Sequence, residues 1–352
     1  MLKIIAVALA GSALAVLLPA GQMRSPASVT VTAKEAERRV DVAVGNKPFT
    51  AYIWPETLKK PVLYPLRSAK GILVTRGWPL DPRPGERVDH PHHVGLWLNY
   101  ESVNGIDFWN NSTAIKPAEA PKMGTIVHRR IVSASGGADH GELVTEADWV
   151  LSSGKTVLRE RTRFTFAGDA TTRTIDRTTT LTAAGEKVVF EDTKDGMLGM
   201  RVARQLEQPS TTPEVFTDVA GRATAVPVLD NTGITGSYLT SEGKKGDAAW
   251  GTRGRWTTLS GKIGEDPITI GIIDHPKNPG YPTYWHARGY GLFAANPLGQ
   301  KVFSNGKETL NLTLAPGAST TFRYRIIIVD GSAGADRMER EFQAFSSVQG
   351  SS

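Results

Sequence analysis

Alternation of apolar and polar residues is the feature of this sequence that most restricts its fold. In TTFRYRIIIV, the residues Phe322, Tyr324 and Ile326 would lie on one face of a strand, with both arginines on the other. Because successive side chains of a strand point to opposite faces, this pattern indicates a half-buried strand. Similar runs occur at 28–45, 125–134, 142–151, 155–166, 172–182, 187–193, 268–274 and 309–314.

Turn signals and a single helical pattern complete the prediction of the fold. The segments SGG, SSGK, AAGEK and APGAS separate many of the runs. Near the end of the chain, ADRMEREFQAF places Met338, Phe342 and Phe345 on one apolar stripe of a helix. Many short strands, 36 glycines and one closing helix predict an all-β fold, a large antiparallel β-sandwich with one short C-terminal helix.

The chain begins with a targeting signal. MLKIIAVALAGSALAVLLPA combines Lys3 with an apolar run and small residues. It predicts a signal peptide over 1–27, cleaved after Ala20 or Ala27, and therefore a periplasmic or secreted protein. An uncleaved membrane anchor is the alternative. Since no repeat or linker interrupts the rest, we predict one domain over 28–346 and a disordered tail over 347–352.

Composition excludes several classes of function. The sequence has no cysteine, which excludes thiolate nucleophiles, zinc–cysteine sites and disulfides. Its net charge of +6 is spread along the chain, so neither nucleic acid nor anionic lipid is a predicted partner. No nucleophile elbow, phosphate-binding loop or dinucleotide fingerprint occurs in its required context, which disfavours serine acyl transfer and nucleotide chemistry.

Five of the seven histidines fall in two islands rich in aromatic residues, glycine and proline. The islands are DHPHH at 89–93 and DHPKNPGYPTYWHARGYGLFAANPLG at 274–299, and both contain Asp-His-Pro. We interpret both as loops that carry function on the β scaffold. We expect the two islands to meet over one sheet face. The spacing alone leaves open whether their histidines bind a metal, act on a substrate or only form hydrogen bonds within a polar corner of the fold.

A metal site is one interpretation of the islands. If the first island is extended, His90 and His92 face the same way and could bind one copper, zinc or iron ion. A further ligand would come from His275 or His286. No cofactor is the primary prediction, and a divalent metal is the alternative.

Metal-free acid–base catalysis on a sugar is the other interpretation. It predicts His92 or His286 as the general acid or base, with Glu160 or Asp274 as the opposing carboxylate. Glu160 shares a strand face with apolar residues, which would raise the pKa of its carboxyl group. A structural pairing of Glu160 with an arginine across the strand is the alternative.

The other side chains of the islands would bind the substrate, because aromatic faces stack on sugar rings while arginine and asparagine donate directed hydrogen bonds. A structural pairing of Arg288 with Asp274 is the alternative for that arginine. The charged cluster Asp192, Lys194 and Asp195 is typical of a solvated turn at a strand end. We assign Trp97, Trp109 and Trp256 to the core. The substrate-binding residues predicted from the islands are His90, His93, His275, Trp285, Arg288, Tyr290 and Asn296.

Four segments resemble a known family. DHPHHVGLWLNYESVNGIDFW, EDTKDGMLGMRV, AAWGTRGRW and IIDHPKNPGYPTYWHARGYGLFAANPLG are together similar to the PmoA-like, or DUF6807, family of bacterial secreted proteins. The likeness spans nearly all of the mature chain and adds Lys194 and Arg201 to the substrate-binding set. The name methane oxygenase PmoA implies a copper-linked monooxygenase, but such a subunit needs several membrane spans that this chain lacks. We therefore treat it as a name and not an activity.

The strand pattern, the PGASTTFRYRIIIV ending and the histidine islands are also similar to the galactose mutarotase-like supersandwich. In that fold, histidines and an acid line a sugar groove. The resemblance implies an exported hydrolase, lyase or epimerase acting on a carbohydrate or sugar-derived molecule. A metal-dependent oxidoreductase and a non-catalytic glycan-binding module are the alternatives.

Overall fold

The structure is a computed structural model that describes residues 25–347. The predicted signal peptide lies outside the described residues except for 25–27, and the predicted tail lies outside them except for Ser347. Both remain predictions. Within the described part of the chain, no helix combines the length and the apolar character that crossing a bilayer requires.

Strands make up most of the regular structure between residues 25 and 347. In chain order they are β1 (Val29–Lys34), β2 (Arg39–Val44), β3 (Lys47–Ile53), β4 (Val62–Leu63), β5 (Leu96–Tyr100), β6 (Thr125–Ser135), β7 (His140–Val150), β8 (Thr156–Gly168), β9 (Thr172–Ala183), β10 (Val188–Val189), β11 (Gly196–Arg201), β12 (Glu214–Thr217), β13 (Ala223–Val226), β14 (Ser237–Thr240), β15 (Trp256–Ile263), β16 (Asp266–Asp274), β17 (Tyr284–Arg288), β18 (Leu292–Asn296), β19 (Thr313–Leu314) and β20 (Ser319–Asp330). The helices are α1 (Gln300–Phe303) and α2 (Ala335–Ser347), and short 3-10 turns span Glu35–Glu37, Ala120–Lys122, Arg204–Leu206 and Gly246–Ala249.

Two eight-stranded sheets contain most of these strands. Sheet I has the order β1-β2-β3-β4-β5-β11-β18-β17, and sheet II has the order β14-β15-β16-β20-β9-β8-β7-β6. Neighbouring strands are antiparallel throughout both sheets. The prediction of an all-β, antiparallel fold with a C-terminal helix is therefore confirmed.

The largest apolar cluster joins the two sheets. Phe49 and Tyr52 of β3 contact Phe166 and Phe164 of β8, with ring centroids 6.3 Å and 5.9 Å apart. Trp285 of β17 belongs to the same cluster and is fully buried. Each such side chain contributes roughly 1.5–3 kcal/mol through burial, so the inward face of every strand is fixed by its apolar residues.

Part of the outer face of sheet II, over β20, is covered by α2. Met338, Phe342 and Phe345 pack on Ile327 and Val329 of β20. This contact explains the uninterrupted apolar run at the end of TTFRYRIIIV, because that half of the strand is covered on both faces. The predicted helical stripe and the predicted strand thus bury each other.

The predicted run at 28–45 is two strands rather than one. A 3-10 turn separates β1 from β2, and Arg38 ends it in the left-handed conformation with φ 53°. The two strands then pair with each other as a hairpin. The runs at 187–193 and 309–314 form only the short strands β10 and β19, which pair with each other.

The second histidine island is not simply a loop, and this corrects the sequence interpretation, whereas the first island is a loop as predicted. The second island contains the strands β17 and β18, while β5 begins three residues after the first island. These strands and β11 are buried on both faces except for Arg288 at the end of β17. Strands covered on both sides lose the alternation that reveals half-buried strands, so the sequence pattern did not show them.

Candidate functional site

The outer face of sheet I brings the two islands together. Trp97, Gly199, Ala294 and His286 lie in register across β5, β11, β18 and β17. The next row toward the end of β11 contains Arg201, Leu292 and Arg288. The alternate residues of these strands face the core between the sheets. One face of four adjacent strands therefore carries the side chains described below.

Gly199 allows the indoles to lie flat on this face. A Cβ atom at position 199 would lie 2.5 Å from the Trp97 ring and 2.9 Å from the Trp109 ring. Trp97 and Trp109 also contact each other, with ring centroids 5.3 Å apart. Both are fully buried, in agreement with the prediction that they belong to the core, and together they form the base on which the first island sits.

The first island folds around a buried arginine. Arg76, which is 1% exposed, donates hydrogen bonds to the carbonyl oxygens of Arg87, Asp89, His90 and His93. Four carbonyl groups of one tight loop thus share a single guanidinium. This contact defines residues 89–93 as a rigid unit, which we call the histidine loop.

Asp89 anchors the histidine loop to sheet I. Its Oδ1 accepts a hydrogen bond of 2.7 Å from Arg201 and also pairs with Arg76, while its Oδ2 accepts one of 2.9 Å from Nδ1 of His90. Burial alone would raise the pKa of Asp89, but the His90 hydrogen bond and the two guanidinium groups outweigh it and hold that pKa well below its usual range. Arg201, predicted to bind substrate, is fully buried in this pairing.

Two of the three histidines of the loop are buried. The His93 ring stacks on Trp97, with ring centroids 5.2 Å apart. The His92 ring contacts the His93 ring edge-on, with centroids 4.3 Å apart. Burial, followed by nearby positive charge, lowers the pKa of His92 to about 2 and that of His93 well below its usual value. Nε2 of each ring is buried without a hydrogen-bond partner. Both rings are therefore neutral, and His92 is poorly placed to exchange a proton with a ligand on sheet I.

Tyr290, in the turn between β17 and β18, is where the islands meet. Its ring stacks on His90 with centroids 5.1 Å apart, and the guanidinium of Arg201 lies 4.8 Å from its centre. Arg288 approaches the same ring at 5.8 Å. Residues two hundred positions apart in the chain thus contact each other directly.

His286 forms the most catalytically suggestive arrangement on this face. Its Nδ1 lies 2.9 Å from the carbonyl oxygen of Lys194 and 3.4 Å from Oδ1 of Asp195. A carbonyl oxygen only accepts, so Nδ1 carries the proton and Nε2 has the free lone pair. Burial lowers the pKa of His286 to about 4, against the opposing charge of Asp195, so the ring is neutral near pH 7. Nε2 is not among the buried atoms without a partner, and no group within residues 25–347 forms a hydrogen bond with it.

The segment below His286 is held by Asn296. Its amide donates hydrogen bonds of 2.9 Å to the carbonyl oxygens of Thr193 and Lys194. Asn296 is fully buried, so it positions the carbonyl that orients His286 instead of binding a substrate as predicted. Lys194 pairs with Asp195 at 2.7 Å and keeps 55% of its side chain exposed.

Further carboxyl groups surround Asp195. Burial and then the charge of Asp195 raise the pKa of Glu101. Burial also raises the pKa of Asp107, where hydrogen bonds from Asn110 oppose it and Asp195 adds to it. Carboxyl groups with raised pKa values are typical of acid–base sites, and both of these interact with the charge of Asp195.

Arg288 and Trp250 border the face on the β17 side. The guanidinium of Arg288 lies 5.6 Å from the ring centre of Trp250, which is 40% exposed. Among residues 25–347, the Arg288 guanidinium has no hydrogen bond or ion pair, so the alternative pairing with Asp274 does not occur. A cavity of about 450 Å³ opens here, and its walls include Arg87, Gln208, Asp247, Trp250, Arg288 and Tyr290. We call His286, Asp195, Lys194, Arg288 and Tyr290 the outer-face cluster.

Glu160 does not join this cluster, which corrects its prediction as the opposing carboxylate. It lies on β8 of sheet II and accepts hydrogen bonds from Trp149 at 2.8 Å and Thr162 at 2.7 Å. Arg177 pairs with it at 3.2 Å. The arginine pairing that the sequence left as an alternative is therefore what the structure contains.

Asp274 and His275 also lie away from the outer-face cluster, at the end of β16 in sheet II. Asp274 is fully buried and accepts hydrogen bonds from Asn278 at 2.7 Å and the Thr283 amide at 2.8 Å. Burial raises its pKa to about 7, although these donors oppose the shift. His275 accepts a bond from the Lys277 amide and packs on Phe345 of α2. Burial lowers the pKa of His275 to about 4. Both residues close a turn rather than face a ligand.

Trp285 faces the opposite side of β17 from His286, which corrects its prediction as a stacking surface. It is fully buried in the cluster between the sheets. Side chains alternate along a strand, so only one of two neighbours can face the site. Trp250 and Tyr290 are the aromatic rings that remain accessible on this side.

The alternative metal site is not assembled. Across residues 25–347, no group of three or more His, Asp or Glu side chains is placed to hold one metal ion. His275 packs against α2, whereas His90 stacks on Tyr290 of the outer face. His90 and His92 contact each other, with ring centroids 5.7 Å apart, but His275 lies in a separate environment.

The family of this chain follows from a match to a family sequence profile. Residues 39–343 match the profile of a family described as a family of unknown function, DUF6807. The chain belongs to the DUF6807 family. A search of curated proteins found no match. Membership identifies relatives of this DUF6807 chain without assigning an activity, since the family description states none.

Several solved structures are similar to this DUF6807 protein. A galactose 1-epimerase from Lactobacillus acidophilus NCFM matches with TM-score 0.39 and 10% identity, covering 88% of this chain and 100% of that one. A galactose mutarotase-like protein from Clostridium acetobutylicum matches with TM-score 0.40 and 10% identity, covering 87% and 99%. The galactosidase domain of the α-galactosidase–sucrose kinase AgaSK matches with TM-score 0.37 and 10% identity, covering 85% of this chain and 42% of that one. The match thus spans less than half of the AgaSK chain.

Sequence reasoning missed four residues that build the site of this DUF6807 protein. Arg76 lies outside both islands, and nothing in its surrounding sequence marks it. Asp89 and Asp195 were visible as carboxylates beside histidine and lysine, but Asp195 is 6% exposed and not part of a solvated turn. Trp250 stands in AAWGTRGRW, one of the segments that carry the family resemblance, and this was the available signal.

Proposed function

We propose that this protein is an exported carbohydrate-active enzyme in which His286 is the general base. The observation that carries the proposal is the hydrogen bond from Nδ1 of His286 to the Lys194 carbonyl oxygen, which leaves Nε2 as an acceptor. A neutral imidazole fixed in one tautomer can remove a proton from a substrate hydroxyl or from an acidic C–H group. Asp195, 3.4 Å away, stabilises the imidazolium that forms.

The groups around His286 suit a polar, ring-shaped substrate. Arg288 and Lys194 are exposed cations that can hydrogen-bond to hydroxyl or carboxylate oxygens. Trp250 and Tyr290 offer aromatic faces for the C–H side of a sugar ring. Glu101 or Asp107 supplies the complementary acid, because a carboxyl group with a raised pKa holds its proton longer. Hydrolysis, elimination and epimerisation are the reactions that such a pair of groups can catalyse.

The test is a screen of the purified protein against polysaccharides, glycosides and oxidised sugars, with products followed by mass. On a substrate found in this way, His286→Gln should lower kcat about 100-fold or more, since general base catalysis contributes roughly 10²–10⁴-fold. His275→Gln is the matched control, because His275 lies in the same island but packs on α2. It should retain wild-type turnover.

Two outcomes would contradict the proposal, and a third would show that the substitutions disturb folding. Full turnover by His286→Gln would remove the proposed base. Equal losses in both variants would indicate a general effect on folding, which circular dichroism would show. Tight glycan binding with no turnover of any substrate would favour the non-catalytic binding module instead.

A further inference from the structure

A second cavity is lined by part of the histidine loop and by a buried lysine. Its volume is about 400 Å³, and its lining includes Lys60 and His92. Much of the wall is apolar, and the apolar residues are Leu58, Val62, Pro79, Leu80, Pro91 and Val94. None of the residues in the outer-face cluster lines this cavity. It is therefore a separate candidate site.

Lys60 has few partners for a lysine in this position. It is 5% exposed, and its Nζ donates one hydrogen bond, of 2.7 Å, to the carbonyl oxygen of His92. The Trp97 ring lies 5.3 Å from Nζ. Among residues 25–347, no carboxylate lies within ion-pair distance of it. An ammonium group carries three N–H donors, so one acceptor leaves it poorly satisfied.

This environment favours the neutral amine. Burial of an unpaired ammonium is costly because the charge loses its hydration without gaining a counter-charge. Burial lowers the pKa of Lys60 to about 7, with the more distant Asp107 acting in the opposite direction. A large fraction of Lys60 therefore carries a free lone pair under conditions in which an exposed lysine is almost wholly protonated.

We propose that Lys60 is a reactive amine that binds small aldehydes or ketones covalently, as imines, inside this cavity. The Nζ lone pair attacks the carbonyl carbon and forms a C–N bond. The carbonyl oxygen takes up the protons that the nitrogen gives up and leaves as water. One amine and one carbonyl compound thus yield one imine and one water molecule, and no oxidant or reductant is needed. The step involves neither His286 nor Arg288, so it is independent of the proposed function.

The shape of the cavity limits the ligand. About 400 Å³ accommodates a short carbon chain, and the apolar wall suits its C–H groups. Asn111, Ser112 and Thr113 line the cavity as well and offer hydrogen bonds to hydroxyl groups. A short hydroxyaldehyde is the class of ligand that uses both kinds of wall.

The test is reductive trapping of the full chain with glycolaldehyde and cyanoborohydride at pH 7, followed by peptide mapping. We expect Lys60 to be alkylated at least about 10-fold faster than Lys59, since an ordinary lysine has on the order of 10⁻³ of its amine free at this pH. Lys59 is the matched control because it lines the same cavity. Lys60→Met should abolish the fast label, and Lys59→Met should leave it intact.

The pH dependence gives a second measurement on the unmodified sequence. Labelling of Lys60 should level off near pH 8, whereas labelling of exposed lysines should keep rising to pH 9 and beyond. A Lys60 peptide that is unlabelled, or labelled no faster than Lys59, would overturn the proposal. If Lys60→Met fails to fold by circular dichroism, the wild-type rate ratio and the Lys59→Met variant still decide.

Discussion

The tripeptide Asp-His-Pro occurs twice in this chain, and the structure gives its two copies opposite chemistry. Asp89 in the first copy is a counter-charge for two buried arginines. Asp274 in the second copy accepts hydrogen bonds from the neutral donors Asn278 and Thr283, and it forms no ion pair within residues 25–347. The pKa of Asp89 is held well below its usual range, whereas that of Asp274 is raised to about 7.

The histidines of the two copies differ as well. His90 is an exposed residue at φ 45°, and its ring stacks between His93 and Tyr290. His275 is buried and meets Phe345 edge-on. The difference teaches that a short motif supplies groups capable of chemistry, whereas residues distant in sequence decide which chemistry they perform. Four predictions test this contrast.

The largest expected effect is on stability when Asp89 loses its charge. Asp89→Asn should lower the free energy of unfolding by about 3–5 kcal/mol at pH 7, because Arg76 and Arg201 would remain buried without a counter-charge. Asp274→Asn should cost only about 1–2 kcal/mol, the cost of one mismatched hydrogen bond. Urea denaturation measures both. Equal losses would mean that the two carboxyl groups have the same role after all.

The second prediction concerns pH. The folded pKa of Asp274 exceeds its unfolded value of 3.8, so its contribution to stability is fully present below about pH 4 and is lost as pH rises through 7. Relative to Asp274→Asn, the wild type should lose about 2 kcal/mol between pH 5 and pH 8.

Asp89 should show the opposite dependence. Its lowered pKa gives stability that is present above about pH 4 and is lost only as pH falls further. The stability difference between wild type and Asp89→Asn should therefore be constant from pH 5 to pH 8. Denaturation curves at four pH values separate the two cases, and parallel pH profiles for both variants would refute the contrast.

The third prediction disturbs only the first copy. Gly199→Ala should lower the free energy of unfolding by about 1–3 kcal/mol, because its methyl group would overlap the Trp97 ring at 2.5 Å. His93 stacks on that ring, so NMR signals of the histidine loop should shift while those of His275 stay in place.

Gly185→Ala is the control for this substitution, since a Cβ atom at position 185 meets no atom within 4 Å. It should change stability by less than about 0.5 kcal/mol. If Gly199→Ala also leaves the free energy of unfolding unchanged, the histidine loop packs on Trp97 much more loosely than the structure indicates.

The smallest expected effect concerns backbone conformation. His90 has φ 45°, where a residue with a side chain is disfavoured, so His90→Gly should be more stable than His90→Ala by about 1 kcal/mol. His275 is not among the residues with positive φ, so His275→Gly should be less stable than His275→Ala by about 0.5–1 kcal/mol. Thermal unfolding of the four variants gives the two differences, and the same order at both positions would count against the contrast.

Sheet II was largely predictable from the sequence, whereas in sheet I only β1 and β2 were predicted, as the run at 28–45. The strands β6, β7, β8, β9 and β20 keep one face toward the core and the other toward solvent along much of their length, which produces readable alternation. In sheet I, β5, β11 and β18 are covered on both faces. Their sequences are nearly continuous in apolar and small residues and resemble loops where glycine and proline are frequent.

The meeting of the two islands was predicted, but most of the partners were not. The similar composition of the islands led us to predict that His90 and Tyr290 lie in one site, and their rings are in contact in the structure. The separation of His286 from Trp285 depends on the register of β17, which the sequence did not reveal. Arg76 could not have been identified, because its role consists of hydrogen bonds to backbone carbonyls that exist only once the loop has folded.

The strand β17 carries the proposed base on one side and a core tryptophan on the other. Its pairing with β18 means that inserting or deleting one residue before Tyr284 would exchange the two sides. An indole would then project where the base now stands, and an imidazole would enter the apolar interior. Substitutions in this strand can be tested one position at a time. A change in its length would disrupt the packing of the core and displace the proposed base at once.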